Sequence, residues 1–117
     1  MRNGRILGGL VFAVIGAIGV KAFAAPPETQ THPSELFKQY CAKCHGDDGK
    51  AQTAKGRSLK ARDFTDAEFQ SGESNADLIK AVTEGKDDMP PFGKKLTAEQ
   101  IESLVKYDVR GFAPKKD

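Results

Sequence analysis

Two thiols and an imidazole fall together in Cys41-Ala42-Lys43-Cys44-His45. On a helical turn, residues three and four apart share one side, so both sulfurs and the ring can face a single flat ligand. Four chemistries use such a set. The thiols can join as a disulfide, or cycle as a redox dithiol, but the thioredoxin-like context of a preceding strand and a βαβ unit is missing. Zinc would need a fourth ligand at its own spacing, and the only other histidine, His32, lies ahead of the expected domain. The fourth chemistry is two thioether bonds to a porphyrin edge, with the next residue reaching the iron. Cys-x-x-Cys-His is the signature of that arrangement, c-type haem attachment. Cys41 and Cys44 are therefore assigned to covalent attachment, and His45 to one axial position of the iron.

A haem iron has a second axial position. Once Met1 is set aside with the N-terminal segment, the chain holds one methionine, Met89, 44 residues after His45. A lone Met is usually a core filler. This one stands in Asp87-Asp88-Met89-Pro90-Pro91, between two acids and two prolines and off any amphipathic helix. The prolines hold the backbone extended, which suits a loop that presents a sulfur at a fixed place. Met89 is thus expected as the second axial ligand. His32, beside Pro33, reads as a solvent-facing residue at a helix start. A Met/His pair leaves the iron no open position, so a carrier is expected, with no catalytic residue. The soft thioether and an apolar pocket would raise the potential above that of a bis-His site.

The elements that must hold these residues read as all-α, with short helices and long loops. Pro33, Glu35 and the apolar Leu36, Phe37 and Tyr40 predict a helix from about Pro33 to Lys43. Gly46 to Arg62 shows neither helical nor alternating periodicity and reads as a long loop. Thr65 is expected to cap a short helix over Asp66 to Gln70, closed by Gly72. Ser74 with Asp77 starts another, carrying Leu78, Ile79 and Val82 and stopping at Gly85. Lys86 to Lys95 is loop again. Thr97 and Gln100 form a capping box for the last helix, with Leu96 and Ile101 as a hydrophobic staple. Ile101, Leu104, Val105 and Phe112 continue its stripe, though Asp108 falls on the same face. Leu59, Phe64, Leu78, Ile79, Val82, Phe92 and Leu96 are the apolar residues expected to line the haem pocket.

The N-terminus reads differently. Arg2 and Arg5 precede an uncharged run of 15 residues, Ile6 to Val20, followed by Ala22-Phe23-Ala24. A basic start, a short apolar stretch and an A-x-A site describe a secretory signal peptide, residues 1–24, cleaved after Ala24. The run falls short of the roughly 20 residues of a membrane-spanning helix and contains four glycines. Residues 25–32 read as a flexible leader, and 33–117 as one domain. Taking Arg2, Arg5 and Lys21 from 18 basic residues leaves 15 against 16 acidic, so the formal +2 of the whole sequence becomes about −1. That balance argues against a nucleic-acid binder. Charge is uneven along the chain: Lys50, Lys55, Arg57, Lys60 and Arg62 form a basic block, while Asp63 to Asp88 holds eight acids against two lysines. Such a split can steer redox partners, or be a pair of solvated faces.

With these pieces in place, the chain resembles a class I, monohaem c-type cytochrome of the short bacterial type, over about Ser34 to Phe112. The matching residues are Leu36-Phe37, Cys41 to His45, Gly46, the Met89-Pro90 loop and the last helix with Tyr107. The resemblance implies the class I cytochrome c fold around one covalent haem c, His45 and Met89 on opposite faces of its iron, and one-electron transfer. It also implies that the first and last helices cross, with Phe37 against Tyr107 or its neighbours. Many members of the family orient the proximal histidine with a proline carbonyl, yet no proline occurs between Gly46 and Phe64. No Trp is present to reach the haem propionates, for which Arg57, Lys60 and Arg62 stand as alternatives. A monomeric periplasmic carrier between redox proteins, membrane respiratory complexes among them, is the expected role. The alternatives are a haem domain tethered by an uncleaved N-terminus to one oxidoreductase, and a haem enzyme whose axial site is open.

Overall fold

The computed structural model describes residues 31–116 and, ahead of them, only Gly8, Gly9, Ala13, Gly16 and Gly19. The expected signal segment (1–24) and leader (25–32) otherwise lie outside the described residues, apart from Thr31 and His32. Six α-helices follow: α1 Glu35–Tyr40, α2 Ala42–His45, α3 Ala54–Ser58, α4 Ala67–Gly72, α5 Asn75–Glu84 and α6 Ala98–Ser103. The last continues as a π-helical stretch, Leu104–Val109, and a 3-10 turn, Arg110–Phe112. Among the described residues the only β pairing is an isolated bridge between Lys86 and Met89. None of the described helices is long and apolar enough to cross a membrane.

The first helix runs farther than its expected end, but in two pieces. Ser34, not Pro33, begins it: its hydroxyl accepts from the Phe37 amide at 3.2 Å. The helix breaks at Cys41, whose φ of −116° departs from helical geometry, and resumes as α2. Cys41's carbonyl then accepts from both the Cys44 and His45 amides, at 3.2 and 3.0 Å. The motif thus sits on its own single turn. Within the stretch expected to be loop, Thr53 caps α3 by accepting from the Gly56 amide. Asp66 takes the cap of α4 in place of Thr65, whose amide and hydroxyl both bond to Asp63 Oδ1. The caps at Ser74 and at Thr97 with Gln100 form as the sequence predicts, because each needs only residues within one turn.

Phe37 is fully buried at the centre of the core, among residues from α4, α5 and the last helix. Its ring lies 5.2 Å from that of Phe112 and 6.3 Å from that of Phe64. Tyr107 does not meet it. At 46% exposure Tyr107 points outward, one position off the stripe of Ile101, Leu104, Val105 and Asp108. Asp108 is the polar member of that stripe and only 2% exposed. Its carboxylate accepts from the Ser34 amide and from the Ser34 hydroxyl, both at 2.7 Å, so it bolts the start of α1 to the last helix. Arg110 makes a second tie. Its guanidinium donates to the Gln70 and Glu73 carbonyls and to the Asn75 side chain, holding the α4–α5 turn against the chain's end.

Candidate haem site

The turn from Cys41 to His45, the segment from Leu59 to Phe64, α5 and the Met89 loop line a cleft of about 300 Å³, with Val105 and Val109 added from the π-helical stretch. Cys41, Cys44, His45 and Met89 all line it. Each arrives from a different constraint. The two cysteines sit on the broken turn with no disulfide between them; burial would push the pKa of a Cys41 thiol up to about 12, with the negative charges of Asp108 and Cys44 adding to the effect.

His45 is buried, and its Nδ1 lies 3.0 Å from the carbonyl oxygen of Arg62. A carbonyl only accepts, so Nδ1 carries the proton and Nε2 keeps its lone pair for a metal. Burial holds the imidazole below its ordinary pKa, and the bond to Arg62 opposes that shift. The Phe64 ring stacks on the imidazole at 4.2 Å and 17°. The partner of His45, which sequence reasoning left blank, is therefore a backbone atom. No proline stiffens that backbone. Instead Ala61 donates to the Gly56 carbonyl and Phe64 to the Gly49 carbonyl, each at 2.8 Å, pinning the segment on both sides of Arg62. Thr53 contributes from α3, its hydroxyl donating to the Cys44 carbonyl at 2.8 Å. A Cβ at Gly56 would come within 2.1 Å of that same carbonyl oxygen, so α3 can lie against the motif only with glycine there.

Met89 is half-buried in the loop between α5 and α6. Its backbone exchanges bonds with Lys86 in both directions, at 2.9 and 3.2 Å. Phe92 and Gly93 donate back to the Val82 and Thr83 carbonyls, so the loop is stapled to the end of α5 on its far side. Gly85, at φ +80°, provides the left-handed turn out of that helix.

The apolar wall is close to the one expected. Leu59, Phe64, Leu78, Val82 and Phe92 line the cleft. Ile79 and Leu96 do not, because Ile79 sits one position off the Leu78–Val82 line and Leu96 is buried in the core behind it. Phe69, Val105 and Val109 line it unexpectedly, brought in by α4 and the last helix. Of the cations considered for propionates, Lys60 and Arg62 reach the cleft and Arg57 does not. The Arg62 guanidinium lies 5.0 Å above the Phe69 ring and 3.9 Å from Glu73. Among the described residues no three His, Cys, Asp or Glu side chains are arranged to hold a bare metal ion. His32 is turned away from the motif, its ring against Phe112 at 4.3 Å and its Nδ1 3.6 Å from Asp108.

An apolar cleft with two thiols, a neutral imidazole and a thioether on its walls fits a covalently held haem. Residues 28–107 match the family described as cytochrome c oxidase, cbb3-type, subunit III. The chain belongs to this family of c-type cytochromes. It is 31% identical over 87 residues to the cbb3-type cytochrome c oxidase subunit FixP of Azorhizobium caulinodans, covering 72% of this chain but 28% of FixP. It is 38% identical over 76 residues to cytochrome c6 of Aphanizomenon flos-aquae, covering 62% of this chain and 78% of that one. Among solved structures, the c-type cytochrome KustC0563 matches with a TM-score of 0.63 and 44% identity, over 68% of this chain and 94% of its own. The cytochrome thus has the class I fold and carries haem c, with its iron, covalently attached.

Proposed function

We propose that this cytochrome is a one-electron carrier whose single haem c is bonded through Cys41 and Cys44 and whose iron is held between His45 and Met89. The observation that carries the reading is their convergence: four side chains from a broken helical turn and a distant loop line one apolar cleft. The haem supplies a one-electron change at iron. The protein's part would be to hold the imidazole in one tautomer through the Arg62 carbonyl, to bring the Met89 thioether into the same cleft, and to exclude water with Phe64, Leu78 and Val82. With both axial positions filled from the chain, no site is left for substrate oxygen or peroxide, so the protein is a carrier and not an enzyme.

Its partners are redox proteins, membrane respiratory complexes among them, reached in the periplasm after removal of residues 1–24. The likeness to cytochrome c6, most of whose length is matched, supports a free carrier. The likeness to FixP favours a second reading, a haem domain working as part of one oxidoreductase. N-terminal sequencing of the exported protein separates the two, since a carrier begins at Ala25 and a tethered domain keeps its first residues. The attachment itself is tested by replacing Cys41 and Cys44 with Ala. Haem staining on a denaturing gel should vanish, and staining that persists would overturn the assignment.

A further inference from the structure

The mouth of the haem cleft carries charge of opposite sign on its two sides. Lys43, Lys55, Lys60 and Arg62 line one, from α2, α3 and the segment that follows. Glu73, Asp77, Asp87 and Asp88 line the other, from the α4–α5 turn, α5 and the Met89 loop, with Lys86 the one cation among them. All of these except Glu73 are exposed. The two sides meet where Arg62 and Glu73 stand 3.9 Å apart.

A face divided in this way is complementary to itself. Turn a second copy half a revolution about the line that divides the two sides, and each basic side meets an acidic one. A partner of uniform charge would be attracted by one half and repelled by the other. Without residues 1–24 the formal charge of the chain is about −1, 15 basic against 16 acidic side chains, so overall repulsion between two copies is weak against these facing pairs.

We propose that this mouth is a self-exchange surface, on which two copies of the chain dock transiently, basic side to acidic side, and pass one electron from the reduced haem to the oxidised one. The inference rests on the haem lying in this cleft. One iron goes from ferrous to ferric and the other from ferric to ferrous, so the step balances with no further reactant. The encounter is brief and small, of the kind that electron-transfer pairs make, and leaves the protein monomeric.

The test is the self-exchange rate of the exported holoprotein, read from NMR line broadening of the haem methyl resonances in mixtures of oxidised and reduced protein. Raising salt from about 0.01 M to about 1 M shrinks the screening length from about 30 Å to about 3 Å. The rate should fall by about tenfold or more across that range, given the gain that charge steering brings. Two copies repelling as like charges would exchange faster with salt, and a rate that rises or stays level overturns the proposal.

Charge reversal gives the second arm. Lys43→Glu with Lys55→Glu cancels the net positive charge of the basic side, two carboxylates now standing beside Lys60 and Arg62, and should slow exchange at low salt by about tenfold. Adding Asp77→Lys and Asp87→Lys gives the two new carboxylates cations to face on the other copy and should restore the rate. Equal rates in the double and quadruple variants overturn the proposal. Haem staining and midpoint potential, recorded on each variant, report that the site is intact. Absence of covalent haem in the unaltered protein would instead sink the underlying assignment before any exchange is measured.

Discussion

In the proposed site His45 and Met89 do different jobs by different means. The imidazole is buried, stacked by Phe64 and held through Nδ1 by a carbonyl, so its tautomer is set and Nε2 keeps its lone pair. The thioether is neutral, soft and carried by a loop whose ends are bonded to α5. Met89→Ala should therefore leave haem attached, because neither the thioethers nor His45 depends on that loop. It should open one axial position, so that cyanide binds the ferric protein quickly. The potential should fall within the span of about 0.8 V that axial ligands command. Lys94→Ala, an exposed change in the same loop, should alter none of these. If Met89→Ala matches Lys94→Ala in spectrum, potential and cyanide binding, Met89 is not on the iron. The motif and Met89 were legible in the sequence because side-chain type and spacing carry them. The carbonyl of Arg62 was not, since a backbone oxygen has no signature in residue identity.

At the scale of elements, what was legible is what is local. The caps at Ser74 and Thr97 use partners within a turn, and they form as expected. Helix α3 was invisible because it has no apolar stripe; it is held by Thr53 and by the close approach that Gly56 permits to the Cys44 carbonyl. Asp108 looked like a flaw in the last helix because its partner lies 74 residues away. Its burial makes sense only once Ser34 is seen donating two bonds to it. Ser34→Ala removes a helix cap and one of those bonds, and should cost about 1–2 kcal/mol in denaturant unfolding of the holoprotein. Asp108→Ala leaves the Ser34 amide without its acceptor and should cost more, about 3 kcal/mol. In the double variant the losses should fall short of additive by about 0.5 kcal/mol or more. Simple additivity would mean that Asp108 and Ser34 do not hold the two helices together. The site feels this bolt, because α1 leads directly into Cys41.

In the proposed reading the haem fills a cleft where the core would otherwise be thin. The described residues gather around Phe37 on one side and around the cleft on the other, with Phe64, Phe69 and Val105 belonging to both. Fold and electron site are thus one structure, which is why the apolar residues expected as core and those expected as pocket largely coincide. The central claim is that this structure closes both axial positions and lets the iron do nothing but change charge. A redox titration of the exported holoprotein, followed by its spectrum and repeated under carbon monoxide, tests that claim directly. The account predicts a single reversible one-electron wave whose midpoint and ferrous spectrum are the same with and without carbon monoxide. A carbon monoxide spectrum forming on the ferrous protein, with the midpoint climbing as the gas is added, would contradict it.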